Sequence, residues 1–352
     1  MMRATLHIGR MLAGPRGTIV DVAGVTVGHA TLADGDLQTG VTVVRPHAGD
    51  PFAQKVPAAA VVINGYGKSA GLMQLNELGV LETPIALTTT LSVGTVVTAQ
   101  VRAAIAAHPG LARTTTTVNP LVFECNDGYL NDVQALAITE AHYLQALAAA
   151  EPEFARGAVG AGRGMSCFGL KGGIGTASRI TGDRPGDWTL GALVLANFGQ
   201  LDTLMLAGRA FGPLLVPRLA ARAPRVSPQR DQGSIIVVLA TDAPLDHRQL
   251  RRVAMRAAAG IGRTGSYYGH GSGDIALALS TAAIVPHDAL HPVRDVQVLA
   301  ETGLDPLFAA AAEATEQAIV DALLSAETVT GFGGHTRYAL ADLAPDWREL
   351  IR

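Results

Sequence analysis

The chain has 352 residues, of which 48% are hydrophobic and 16% charged, with a formal net charge of −3. That length and composition provide for a buried core in one large or two medium domains and exclude a disordered chain. The slight negative balance and the lack of a basic run leave no electrostatic case for nucleic acid or an anionic membrane as partner.

Four β-branched segments open the chain as expected strands: 18–30 (TIVDVAGVTVGHA), 40–46, 56–65 (VPAAAVVING) and 83–90. A helix is expected at 92–108, capped by Ser92, and a second at 132–150, capped by Asp132. Strands return at 188–199 and 234–243, separated by a proline- and arginine-rich stretch, 216–234, that reads as a surface connection. Segment 244–262 then reads as a helix with a proline start and a glycine stop. A strand at 274–282 and a helix at 305–327 come next, the helix with Leu307, Ala311, Ala314, Ala318 and Leu323 along one stripe. Several strands are apolar at consecutive positions, which implies burial on both faces and a layered α/β or α+β protein. The apolar runs, such as AAAVVI and IIVVLA, are strand-sized and too short to cross a membrane. The first residues contain no uninterrupted apolar core of a secretory signal, so the cytoplasm is the expected location. Cys125 and Cys167 are too few for a disulfide framework or zinc cluster and read as small buried residues.

Several motifs fall short of known chemistry. YGKS (66–69) lacks the first glycine of a phosphate loop, because position 62 is Val62. GAGRGM (160–165) and KGGIGTAS (171–178) look like nucleotide loops but lack the strand–loop–helix frame of a dinucleotide site. No G-x-S-x-G elbow surrounds Ser266 or Ser272, and His29, His270 and His335 have no metal-ligand spacing and read as loop or capping residues. No metal and no cofactor are expected.

What remains is GIGRTGSYYGHGSGDIALALSTA, residues 260–282, rich in glycine and hydroxyl groups directly before an apolar strand. Glycine is placed where the backbone must bend unusually or be closely approached. Ser266, after Gly265, is either part of a flexible turn or a nucleophile. A serine without a histidine partner becomes reactive if it is the first residue of a chain. Its own α-amine, with a pKa near 7.7–8.0, can then take the hydroxyl proton. That requires scission of the Gly265–Ser266 bond, which strain at Gly265 favours.

A resemblance bears on these alternatives. IVDVAGVTVGHATL (19–32), VPAAAVVINGYGKSAGL (56–72), ECNDGYLNDV (124–133), VGAGRGMSCFGLKGGIGTASR (159–179), LVLANFG (193–199), RTGSYYGHGSGDIALALST (263–281) and PLFAAAAEATEQAI (306–319) together resemble the L-aminopeptidase/D-esterase family typified by DmpA, which includes β-peptidyl aminopeptidases. The resemblance implies a four-layer α/β/β/α core like that of N-terminal nucleophile hydrolases but differently connected. It also implies one catalytic domain that cuts itself between Gly265 and Ser266. The pieces, 1–265 and 266–352, are expected to stay associated, commonly as a tetramer of such pairs. Ser266 is the implied nucleophile, acting through an acyl-enzyme on a small peptide, aminoacyl amide or ester.

Asn197 is the candidate oxyanion donor, and Glu124 and Tyr129 are the candidates for binding the substrate ammonium. Glu316 is the candidate proton-relay acid. Some family members use a serine and a glutamate two apart in this C-terminal segment, whereas Ala314-Thr315-Glu316 stands here; Leu299-Ala300-Glu301 is the alternative alignment. An acyltransferase using the same acyl-enzyme and an unprocessed binding or assembly protein are the competing functions.

Overall fold

The computed structural model describes residues 6–182, 187–223, 233–288 and 291–351. In chain order its principal elements are β1 (Thr26–Asp34), β2 (Leu37–Arg45), β3 (Gln54–Gly65), α1 (Leu72–Leu78), β4 (Ile85–Thr89), α2 (Val93–Ala107), β5 (Leu121–Cys125) and α3 (Glu140–Ala148). The second half supplies β6 (Gly173–Ile180), β7 (Thr189–Asn197), α4 (Gly212–Arg222), β8 (Ser234–Thr241), α5 (His247–Met255), α6 (Ala257–Arg263), β9 (Gly273–Ser280) and α7 (Asp305–Ser325).

Two sheets result. One has the order β1-β2-β4-β5; the other runs β3-β9-β8-β7-β6, extended beyond β3 by the short strand Val285–Pro286 and by Val80–Leu81. β9 is parallel to β8 and antiparallel to β3, so it lies in the middle of the larger sheet. Strand alternation explains the layering. Leu193 and Leu195 of β7 point inward with Ile236, Val238 and Leu277 to meet Ile85, Leu87, Leu121 and Phe123 of the smaller sheet. Their neighbours Val194 and Ala196 point outward with Val237 and Ala276, against Leu307, Ala311, Ala314 and Ala318 of α7 and Leu250 and Val253 of α5. On the far side Val41, Val43 and Val122 pack under Val93 and Val96 of α2 and Tyr143 of α3. Period-two strands buried on both faces thus produce the α/β/β/α sandwich expected from the family resemblance.

Several local expectations change. Segment 18–30 is a strand only from Thr26. Asp21 accepts the backbone N–H groups of Arg16 and Thr18, and Ile19–Asp21 forms a 3₁₀ turn. The expected helix 132–150 splits: Asp132 caps only the turn Val133–Ala135, Leu136 is left-handed at φ 47°, and α3 starts after Thr139. Helix 244–262 is two helices meeting at Arg256. It begins at His247 behind the Asp246 cap and runs through the glycines to Arg263. Ser92 makes no side-chain cap on α2. Residues 305–325 are helical, but α7 is buried around nearly its whole circumference instead of along one stripe.

Thr90–Ala107 is long and apolar enough to cross a bilayer, unlike the strand-sized runs expected; a third of it is buried, with Val96 and Ala99 inaccessible. The first part of 216–234 is helix α4, with Pro217 inside it, and 224–232 lies outside the described residues. KGGIGTAS, set aside as a loop, is mostly β6. Its Gly175 is needed because a Cβ there would come 1.9 Å from the Ala318 carbonyl oxygen of α7.

Candidate active site

The glycine-rich segment leaves α6 and enters the central strand β9. Thr264, fully buried, donates its hydroxyl back to the Ile261 carbonyl at 2.7 Å, and its own carbonyl accepts the Met205 N–H at 2.9 Å. Gly265 comes next at φ +98°, in the left-handed region, and a Cβ there would meet the Thr203 carbonyl oxygen at 1.9 Å. Both conformation and space therefore require glycine before Ser266. Ser266 Oγ accepts a long hydrogen bond, 3.3 Å, from the N–H of Tyr268, itself left-handed at φ 58°. The Tyr268 hydroxyl returns to the Ala258 carbonyl on α6. Two turns of unusual backbone thus flank the candidate nucleophile.

The strand ends hold the rest of this segment. Asn64, near the end of β3, donates to the Gly269 carbonyl at 2.7 Å, and the Tyr66 N–H donates to the Ser272 carbonyl at 3.2 Å. Ser234, at the start of β8, accepts the Gly273 N–H at 3.0 Å. Ser234 in turn pairs with Asn197, the last residue of β7. Strand pairing thereby links Asn197 to the segment that carries Ser266.

Asn197 is buried, with both ends of its amide engaged. Its Oδ1 accepts the Ser166 N–H at 2.7 Å, and its Nδ2 donates to the Asn126 carbonyl at 2.9 Å. That orientation is fixed by a donor on one side and an acceptor on the other. Nδ2 carries two hydrogens, and Asn126 takes one of them.

Glu124, on β5, is also buried; its Oε1 accepts the Lys68 N–H at 2.8 Å. Tyr129 belongs to a different arrangement. Its ring stacks on His335 with centroids 4.6 Å apart, and the Arg337 guanidinium lies 3.5 Å from its centroid. Arg337 Nε donates to Ser166 Oγ at 3.0 Å, which connects Tyr129 to the loop that orients Asn197.

Glu316, on α7, meets Arg263 at 3.6 Å, three residues before Ser266; burial, the largest influence, raises its carboxyl pKa. Glu301 sits elsewhere, in a surface cluster with Arg248, Arg252 and Gln249. Hydrogen bonds from Arg248 first, then Gln249, hold it at about 2. His29 bridges Thr42 Oγ1 and the Ala155 carbonyl, away from these groups, and His270 lies near the Tyr66 ring. Cys125 and Cys167 are both buried and form no disulfide; Cys125 donates toward the Leu195 and Ser234 carbonyls.

Sequence reasoning did not single out Ser166, Asn126 or Arg337. Ser166 and Asn126 act through backbone groups, which leave no residue-type signature. Arg337 comes from the short ribbon Thr336–Arg337, which pairs with Val329–Thr330 after α7.

Comparison with known proteins agrees with this architecture. The model of Peptidase family S58 matches residues 17–337. The β-peptidyl aminopeptidase BapA of Sphingosinicella microcystinivorans is 40% identical over 344 residues, covering 92% of this chain and 85% of the relative. A solved protein of Pyrococcus horikoshii OT3 superposes with a TM-score of 0.91 at 45% identity, over 99% of this chain and 98% of that one. The L-aminopeptidase D-Ala-esterase/amidase of Ochrobactrum anthropi, described as a prototype of the serine aminopeptidases and a variant of the Ntn hydrolase fold, matches with a TM-score of 0.86 at 34% identity, over 97% of each chain. The resemblance read from the motifs is thereby confirmed: the chain belongs to peptidase family S58 and is a hydrolase.

Proposed function

We propose that this chain is a self-processing serine aminopeptidase. The observation that carries the reading is the left-handed Gly265, packed against the Thr203 carbonyl, directly before Ser266. Held backbone of this kind favours attack of the Ser266 hydroxyl on the Gly265 carbonyl. The resulting N-to-O acyl shift gives an ester that water hydrolyses, leaving fragments 1–265 and 266–352 with Ser266 at a new N-terminus. These fragments then remain together, as a homo-oligomer of fragment pairs.

In turnover the freed α-amine takes the Ser266 hydroxyl proton as Oγ attacks the carbonyl of the substrate's first residue. The tetrahedral oxyanion lies against the second Nδ2 hydrogen of Asn197. Collapse expels the downstream amine, which receives the proton from the α-ammonium, and the acyl group is left on Ser266. Water, deprotonated by the same amine, then releases the amino acid. Glu124 supplies the anionic partner for the substrate ammonium, and Tyr129 forms part of the adjoining wall. Glu316 reaches the scissile segment through its ion pair with Arg263.

The substrates are small peptides, aminoacyl amides or esters, as the names of the relatives suggest. Freshly purified protein should give two bands on a denaturing gel, the smaller beginning Ser-Tyr-Tyr-Gly. Ser266→Ala should give one band and no turnover of an aminoacyl p-nitroanilide; a hydrolytically active Ser266→Ala protein rejects the nucleophile assignment.

A further inference from the structure

Lys171 is fully buried, yet no part of the proposed mechanism uses it. Its ammonium donates to three backbone carbonyls, Gly162 at 2.9 Å, Met165 at 2.8 Å and Gly172 at 2.9 Å. Three carbonyls consume the three N–H donors of a protonated lysine; a neutral amine has only two. These carbonyls belong to the turn and hairpin that present Ser166. Ser166–Cys167 pairs with Leu170–Lys171, Ser166 stands directly opposite Lys171, and the reversal is made at left-handed Phe168 and Gly169. Met165, whose carbonyl also takes the Gly172 N–H at 2.9 Å, immediately precedes the N–H that grips Asn197 Oδ1.

We propose that Lys171 is a positioning residue for catalysis: its ammonium gathers the 162–172 backbone so that the Ser166 N–H holds the Asn197 amide toward the reacting carbonyl. The inference rests on the reading of Asn197 as oxyanion donor. Asn126 supplies the second grip on Asn197, from a loop that Asp127 fixes in a similar way. The Asp127 carboxylate accepts the Thr89 hydroxyl at 2.6 Å and the Asn131 amide at 3.1 Å. Two buried ionisable side chains, one of each sign, therefore brace the two loops that orient one neutral amide.

The brace has a pH dependence. Burial first, and then the positive charge of Arg163, bring Lys171 down to about 7; Asp127, Cys167 and Glu327 oppose that shift. As pH rises through neutrality the ammonium loses a proton, one carbonyl loses its donor, and the grip on Asn197 slackens. The reaction should therefore show an alkaline limb in kcat, opposite in sense to the limb produced by the Ser266 amine, which must be neutral to act.

The test measures kcat and KM against pH for the wild type, Lys171→Met and Arg163→Gln, with an aminoacyl p-nitroanilide. Folded Lys171→Met should lose about tenfold or more in kcat with little change in KM, and its alkaline limb should vanish. Arg163→Gln removes a like charge that pairs with the exposed Glu327 and hydrogen-bonds Gln38. It should stay active and move the limb to higher pH, which decides the matter if Lys171→Met fails to fold. A folded Lys171→Met protein with wild-type kcat and limb, or a limb that Arg163→Gln leaves in place, overturns the proposal. Full kcat in Asn197→Ala instead overturns the oxyanion reading, so the two failures are distinguishable.

Discussion

Asn197 combines a short neutral side chain with a fixed orientation. The Ser166 N–H and the Asn126 carbonyl clamp the two ends of its amide, so no reorganisation is needed when charge develops nearby. Asn197→Ala removes the amide donor, and it also strips the Ser166 N–H and the Asn126 carbonyl of their partner, so its kinetics are read on folded protein. It should lower kcat by about 10²–10³-fold, roughly 2.7–4 kcal/mol, with KM nearly unchanged; steady-state kinetics on an aminoacyl p-nitroanilide measures this directly. The glycine-rich context made Ser266 a candidate in the sequence, and Asn197 became a candidate oxyanion donor through the family resemblance. Lys171, Ser166 and Arg337 were not legible in the sequence. Their roles depend on backbone carbonyls and amides brought together by the short 166–171 hairpin and a C-terminal ribbon, and neither carries a periodic signal.

Among the elements, α7 and the edge strand β6 show what the sequence obscured. A string of glycines in 171–178 reads as a loop, but Gly175 sits where the α7 backbone touches the sheet, 1.9 Å from a notional Cβ to the Ala318 oxygen. Tertiary contact, not local conformation, put glycine there, so local reasoning assigned the wrong element. Gly175→Val should force α7 off the sheet and destabilise the protein by roughly 1–3 kcal/mol or more. Denaturant unfolding checks that value, and a stability equal to wild type would falsify the close-packing account. The helix split at Leu136 has a similar cause, since a left-handed leucine cannot be foreseen from helix propensity. Six of the seven expected strands were read within a few residues, because burial on both faces leaves long β-branched runs; 18–30 was set several residues too early, and the short buried strand Leu121–Cys125 was missed.

Across the whole molecule, buried ionisable groups at the layer boundaries set the response to acid. His29, read from the sequence as a loop or capping residue, is a strand residue of β1 whose ring faces the 155–161 connection; the Ala155 carbonyl requires a proton on its Nε2, leaving Nδ1 to accept from Thr42. Burial lowers its pKa to about 4 from an ordinary 6.5, partly offset by the Ala155 hydrogen bond. The folded state therefore holds His29 neutral while the unfolded chain takes up a proton. Its contribution is complete above about pH 6.5 and is lost as pH falls from there toward 4. Glu316 and Asp127, both raised by burial, act in the opposite sense, so the net curve is a difference of terms. Thermal midpoints measured from pH 7 to 4 should fall less steeply in His29→Gln than in wild type. Equal slopes would remove His29 from the account.

The central position of β9 governs the fate of a chain cut at residue 265. Gly273, where β9 enters the sheet between β3 and β8, stands only seven positions beyond Ser266. A newly exposed amine on so short a tether stays at the mouth of the sandwich, and the shorter piece cannot leave without tearing the larger sheet down its middle. Halves produced from separate genes should for the same reason regain activity only when they are unfolded and renatured together.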